Sequence, residues 1–301
     1  MPIIWIEGRP VAEWVEELNT LGFKEKETIV VSHGCWKKPT RVAYQMKRRG
    51  FNWIYTPHGM LEPWSLANHR LKKIIYYHLF EKRYFRLADA VRAVSTREKE
   101  NLERLLRRKV ELVENGVKMP VYKPKQNTLQ FLFMARLHFK KGIVPLVQAW
   151  SRVMKGTSAK LFIAGPDEGE LIKIRPFLNE NIEYVGAVYG EDKVKLLQES
   201  NYYVLPSFSE GFPTSVVEAM SYGAIPLISA GCNFPEVFEK SLGYRMEPKE
   251  EDIAVQLNNL KDKIYDQSLS KKNYDFIERY YSVPAIGNKL MSMYNKMNRQ
   301  E

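Results

Sequence analysis

At 301 residues, with 45% hydrophobic and 27% charged side chains and no repeat or low-complexity tract, the chain is expected to form two domains, which excludes a disordered polypeptide. Its two cysteines, Cys35 and Cys232, are far apart and lack CxxC or histidine spacing, which argues against a disulfide framework or zinc finger and for a reducing cytoplasm. No apolar run nears the ~18–20 residues of a spanning helix and no basic-then-apolar leader is seen, so the net charge of +11 is read as a surface property.

In chain order, short runs of Val, Ile, Leu, Tyr and Phe alternate with helical periodicity, the pattern of βα units around a parallel sheet. Strands are predicted at Ile3–Ile6, Thr28–Ser32, Trp53–Thr56, Ala90–Ser95 and Val110–Val113. Val11, Trp14, Val15 and Leu18 predict one helix, and Leu71, Ile74, Ile75 and Leu79 another. Residues 69–109 hold thirteen Lys or Arg against five acids, a patch suited to anionic lipid, nucleic acid or a phosphorylated substrate, or to solubility alone. Lys and Arg flank Ile74, Ile75, Leu79 and Phe80 as in an interfacial helix, which favours an anionic membrane surface through 69–109. No nucleic-acid module accompanies the charge, so no nucleic acid partner is expected.

The segment Lys118 to Thr128, with two prolines and no helical pattern, reads as a linker. Beyond it, strands are predicted at Leu129–Met134, Lys160–Ala164, Ile182–Val185, Tyr202–Leu205 and Ile225–Ser229, with helices near 142–154, 168–178, 190–200, 214–222 and 234–239. Ligands of doubly wound sheets bind where strand C-termini lead into helix N-termini. Three such loops stand out: ARLHFKKG with Arg136 and Lys141, GPDEG from Gly165, and SEGFPTS from Ser209.

The last of these places Gly211, Phe212, Pro213, Thr214 and Ser215 at a helix start, where free N–H groups and the dipole favour phosphate. Glu210 would repel phosphate and is better suited to sugar hydroxyls; Glu218, further along the helix, could take the paired hydroxyls of a ribose. Arg136 and Lys141 supply the countercharge for a diphosphate leaving group. With no Asp-x-Asp and no clustered ligand set, this is a transferase site without metal or other cofactor.

Glu210 to Glu218 resembles the E-x7-E motif of the retaining glycosyltransferases of family 4, the group 1 transferases, and the match continues through AMSYGAIPLIS and FPEV. ARLHFKKGIVPLVQAW is similar to that family's GRL-xxx-KG motif, with Ala135 in place of the usual glycine. TPHGMLEPWS and ADAVRAVSTREKENL resemble N-domain segments of a bacterial branch, and ELVENGV the passage into the linker, so the resemblance spans residues 28–301.

The resemblance implies an α/β GT-B architecture, two Rossmann-like domains with parallel sheets facing across a cleft. The expected division is an acceptor-side domain at 1–118, a linker at 119–128, a donor-binding domain at 129–275 and a helix at 276–301 crossing back to the first. It further implies that Glu218 binds the donor ribose, Glu210 a hydroxyl of the transferred sugar, the amides of Gly211 to Ser215 the sugar and phosphate, and Arg136 and Lys141 the diphosphate. His58 would approach the transferred sugar, Gly165 would line the donor site, and Gly186 to Val188 would mark the base pocket. Retention by front-side displacement is expected, with Glu210 a positioning and electrostatic group. The start, MPIIWIEGRPVAEW, departs from the family's first strand and glycine-rich loop, with only Gly8 nearby, and the N-terminal domain looks shortened.

The leading expectation is therefore a transferase moving a sugar from a UDP- or GDP-linked donor to a glycan or lipid-linked acceptor in polysaccharide or lipopolysaccharide biosynthesis, at the cytoplasmic face of a membrane. The alternative is a catalytically silent sugar-nucleotide or glycan-binding subunit.

Overall fold

A computed structural model describes residues 10–36, 38–61 and 75–298, and the chain divides into two compact units, residues 1–114 with 288–301 and residues 115–287. The strand expected at Ile3–Ile6, Gly8, and Leu71 and Ile74 of the expected amphipathic helix lie outside the described residues.

The first unit opens with helix α1 (Val11–Thr20), whose apolar face packs on Met46 of α2 (Lys38–Lys47) and on Phe51. Its strands β1 (Ile29–His33), β2 (Asn52–Thr56), β3 (Ala90–Ala93) and β4 (Glu111–Leu112) form a parallel sheet in that order. Trp53, Ile54, Tyr55 and Thr56 are all buried, as a strand covered on both faces requires. The Tyr55 ring meets Phe85 edge-on, centroids 4.3 Å apart, and its hydroxyl donates to Glu81, which also accepts from the amide of Trp36 at 2.7 Å. Burial pushes the Glu81 carboxyl above its usual range, while these two hydrogen bonds pull it back.

Glu81 also explains a departure from the expected regular helix. Among the described residues the segment is α-helical at Ile75 and Tyr76, widens to a π-turn at Tyr77–Glu81 and continues as α3 (Lys82–Leu87), and the widening turns Glu81 inward to its partners. The strand expected to reach Ser95 stops at Ala93, because the Ser95 hydroxyl accepts from the Glu98 amide and caps α4 (Thr96–Leu106).

The second unit holds β5 (Gln130–Met134), β6 (Lys160–Ala164), β7 (Ile182–Gly186), β8 (Tyr202–Leu205), β9 (Ile225–Ile228) and β10 (Tyr244–Arg245), all pairings parallel, in the spatial order 10-9-8-5-6-7. The five predicted strands fall within one residue of these bounds, and β10 was unpredicted because two residues carry no periodicity. Phe131 packs between Trp150 and Tyr202, with centroid distances of 5.0 and 4.6 Å. Helix α5 (Ile143–Val153) buries Leu146, Val147 and Trp150 against the sheet. The linker is irregular but anchored: Lys125 Nζ donates to the carbonyls of Leu197 and Gln198, capping the C-terminus of α7 (Gly190–Glu199), which follows the short α6 (Leu171–Ile174).

Three helix expectations need correction. The helix near 168–178 shrinks to α6 and a 3-10 turn at Arg175–Phe177, because the Asp167 carboxylate takes the amides of Gly169, Glu170 and Leu171. After α8 (Thr214–Ser221), the helix expected from 234 begins after Pro235, as α9 (Glu236–Glu239). Helix α10 (Glu250–Leu260) precedes a C-terminal region that is not one helix but two, α11 (Gln267–Tyr281) and α12 (Val283–Asn298). Pro284 has no N–H to continue a ladder and falls in the first turn of α12, while Val117 donates to Tyr281 and accepts from Val283 at the break. Among the described residues no helix is long and apolar enough to cross a membrane.

The loops after β5 and β6 press together at Gly165, whose φ is +141° and where a Cβ would run into the carbonyl of Ala135. Gly169 has φ +100° with open space around it. Gly165→Ala should therefore destabilise the protein by about 1–3 kcal/mol more than Gly169→Ala, read from urea midpoints; equal losses would show that the loops separate freely.

Candidate functional site

Chain order reverses between β8 and β5, and in an open parallel sheet such a reversal opens a crevice at the strand C-termini. The loops on its two sides, 135–142 and 206–210, are laced together. The Lys140 carbonyl accepts from the Phe208 amide at 2.8 Å and from the Ser207 hydroxyl at 2.9 Å. At Gly142, φ +68°, any Cβ would strike the Pro206 carbonyl, so only glycine permits the approach.

That approach delivers Lys141 to Glu210: its Nζ lies 2.6 and 2.7 Å from the two carboxylate oxygens, with side chains only 16% and 11% exposed. Glu210 is fixed through its backbone as well. Its amide donates to the Gly231 carbonyl at 2.8 Å, and its own carbonyl accepts from Asn233 Nδ2.

Beside this pair lies a pocket of about 330 Å³ whose lining includes Arg136, Gly165, Val188, Lys193, Ser215 and Glu218. Thr214 also lines it, and Gly186 adjoins it by accepting from the Gly165 amide at 2.8 Å. Arg136 Nη1 contacts both oxygens of Glu168, at 2.6 and 2.8 Å, and is 61% exposed. Lys193 Nζ sits 2.7 Å from Glu218. Each of these three cations thus faces a carboxylate.

The helix tip differs in detail from expectation. Pro213, with φ −84° and ψ 66°, forms an inverse γ-turn in which the Thr214 amide donates to the Phe212 carbonyl at 2.9 Å, so that amide is already engaged. The amides of Gly211, Phe212 and Ser215 have no partner among the described residues. The Phe212 ring packs with Tyr281 and Phe234 at centroid distances of 6.0 and 6.4 Å, leaving only its backbone for a ligand. Fully buried Tyr203 donates to the Met134 carbonyl at 2.7 Å and so ties β8 to the end of β5.

His58 belongs to the first unit. It sits just past β2 at φ +56°, with Nε2 2.7 Å from Nδ1 of His33, the last residue of β1. Burial, then the His33 and Arg92 charges, lower the His58 pKa to about 4. Sequence reasoning passed over His33, although SHG and PHG repeat one pattern at two strand ends. It also passed over Lys193 and Asn233; the first turn of a helix after a strand was the available signal for Lys193, whereas Asn233 gave none.

Two family profiles match the chain between residues 12 and 276: that described as "Glycosyl transferases group 1" over residues 117–276, and that described as "Glycosyltransferase Family 4" over residues 12–119. The phosphatidylinositol N-acetylglucosaminyltransferase gpi3 subunit of Schizosaccharomyces pombe is 23% identical over 181 residues, 58% of this chain and 40% of the relative. N,N'-diacetylbacillosaminyl-diphospho-undecaprenol alpha-1,3-N-acetylgalactosaminyltransferase of Campylobacter jejuni is 35% identical over 104 residues, 34% of this chain and 27% of the relative. The matches thus span less than half the length of these two relatives. Among solved structures, Anabaena Alr3699/HepE in complex with UDP and glucose superposes with a TM-score of 0.70 at 16% identity, covering 95% of this chain and 81% of that one, which supports a GT-B fold. With more than half of its length matched by the first profile, the chain belongs to the group 1 glycosyltransferases.

Proposed function

We propose that the protein transfers a sugar from a nucleoside diphosphate donor to a glycan or lipid-linked acceptor with retention of anomeric configuration and without a metal. The observation that carries this reading is the buried Lys141–Glu210 pair at the chain reversal, beside a pocket edged by Arg136 and Glu218. A pocket lined by Arg136 as well as by the Lys193–Glu218 pair suits a ligand that is anionic at one end and hydroxylated at the other.

In this reading the donor diphosphate draws Arg136 away from Glu168, since an exposed ion pair is worth only about 0–1 kcal/mol. Lys141 adds the second positive charge where the leaving group develops its own. The free amides of Gly211, Phe212 and Ser215 complete the phosphate and sugar contacts, Glu218 takes the ribose hydroxyls in exchange for Lys193, and the base lies along Gly186 to Val188. Glu210, held on both sides by its backbone, orients a hydroxyl of the transferred sugar. With Lys141 against both of its oxygens it is a poor nucleophile, which supports front-side displacement assisted by the leaving phosphate. A UDP-bound neighbour of this fold supports a nucleotide donor, relatives named for phosphatidylinositol and diphospho-undecaprenol support a lipid-linked acceptor, and a Staphylococcus aureus relative named for capsular polysaccharide biosynthesis supports a place in bacterial surface-polysaccharide synthesis.

The lipid-linked acceptor suggests that the protein works against the cytoplasmic face of a membrane. In the basic stretch, Ile75, Leu79 and Phe80 are exposed beside Lys82, Arg83 and Arg86. In sedimentation with vesicles containing 30% phosphatidylglycerol, the triple variant Lys82→Gln/Arg83→Gln/Arg86→Gln should bind at least about tenfold more weakly, at roughly 1 kcal/mol per charge. Binding indifferent to anionic lipid would remove the membrane part of the proposal.

The donor site is tested by titration calorimetry with UDP, GDP and ADP in EDTA. One nucleotide should bind, and Glu218→Ala should weaken it by about tenfold or more, the loss of hydrogen bonds to a charged group. Binding of none of the three would favour a silent glycan-binding subunit instead.

A further inference from the structure

Two histidines end neighbouring strands of the first unit. The β1–β2 register places His33 opposite Thr56, and His58 follows two residues later. Their facing nitrogens are 2.7 Å apart, yet the ring centroids are 5.0 Å apart and the ring planes differ by only 22°. Rings whose nitrogens are so close and centroids so far lie edge to edge and nearly coplanar. This is the geometry of a straight N–H···N hydrogen bond, not of a face-to-face stack.

The surroundings hold that geometry. His58 sits in the left-handed region that side chains seldom adopt, and the next amide, that of Gly59, is taken by Glu98, whose other oxygen accepts from Val94 at 2.8 Å. Glu98 is itself buried at the start of α4. Arg92, also buried, directs its guanidinium to the carbonyls of Val113 and Glu114, and its positive charge bears on both rings. Burial, then Arg92, lowers His33 as well. Burial and the Arg92 charge both disfavour a proton on either ring, so both imidazoles are neutral at pH 7.

Two neutral imidazoles joined by one hydrogen bond have fixed outer chemistry. Whichever ring donates to the other, one outer nitrogen carries a hydrogen and the other is bare. Those outer atoms are His33 Nε2 and His58 Nδ1, and neither has a partner among the described residues.

We infer that His33 is a positioning residue for His58 and that the two rings act together as a reader of sugar hydroxyls, giving one hydrogen bond and accepting one. This rests on the transferase reading above and adds to it a second histidine and a chemical preference. A neutral donor–acceptor pair matches hydroxyls, each of which both gives and accepts, and offers no charge to a phosphate.

The test is ring-nitrogen NMR on the full chain at pH 7, titrated separately with the nucleoside diphosphate that binds, with its sugar conjugates, and with free methyl glycosides. The sugar-bearing ligands should shift the His33 and His58 nitrogens and the nucleoside diphosphate alone should not. A response to the conjugate only points to the donor sugar, and a response to the glycoside points to an acceptor. His33→Leu should weaken the sugar response about tenfold and leave His58 as a mixture of tautomers with its titration moved up from about 4. His33→Gln, which can still bond to His58, should stay within threefold of the parent. Unchanged nucleotide affinity in both variants shows that the fold is intact. Shifts caused by the diphosphate alone, no shift with any ligand, or equal behaviour of the Leu and Gln variants would overturn the inference. If no nucleotide binds but a methyl glycoside still shifts the rings, the donor reading fails and the histidine pair stands.

Discussion

Every described strand pairing is parallel, and parallel neighbours cannot be joined by a tight turn. Each connection must cross a face of the sheet and return, so every strand ends on one edge and every following helix begins there. In the second unit the site follows from this constraint. Four loops from four strands, distant in sequence, are delivered to one edge, and the reversal between β8 and β5 leaves a gap between two of them. Gly142 and Gly165 then let those loops approach to backbone contact, which a side chain would forbid.

The charges at that edge are arranged by cost. Lys141 and Glu210 are mostly buried, and separating them would leave an uncompensated charge in poor solvent, so they form a fixed element. Arg136 and Glu168 are largely in water and their bond is weak by comparison. Lys193 and Glu218 are intermediate, about a third exposed. In the proposed reading, a ligand entering this pocket meets a graded set of pairs, one that stays and two that can open. Within these three pairs the charges balance one to one.

Much of this was legible in the chain. Continuous apolar runs such as WIYT and YYVL could only be covered parallel strands, and their loops could only open on one edge. The spacing of Glu210 and Glu218 around a Gly-Phe-Pro turn marked the helix tip, and Arg136 and Lys141 could be placed by their distance from β5. What stayed hidden depends on strand order. Helix α7 follows edge strand β7 and must travel back across the sheet to reach β8, and only this return brings Lys193 to Glu218. Nothing in GEDKVK says which of its charges will meet another helix. The Thr214 amide was likewise hidden, because Pro213 permits both a helix start and a γ-turn, and only the observed ψ of 66° distinguishes them.

The π-turn at Tyr77–Glu81 bears on how this segment can change over time. Such a turn is what one inserted residue leaves in an α-helix, and removing a residue there would restore regular winding. Regular winding would also rotate the preceding turn by about 100° relative to α3. Glu81 or the residues before it would then face the wrong way. Tyr55 and Trp36 would lose their shared carboxylate, leaving a buried hydroxyl and a half-buried amide without an acceptor. Single-residue deletions that a solvent-facing helix would absorb should therefore be selected against between Tyr77 and Glu81, and the length of this stretch should be held more tightly than its side chains.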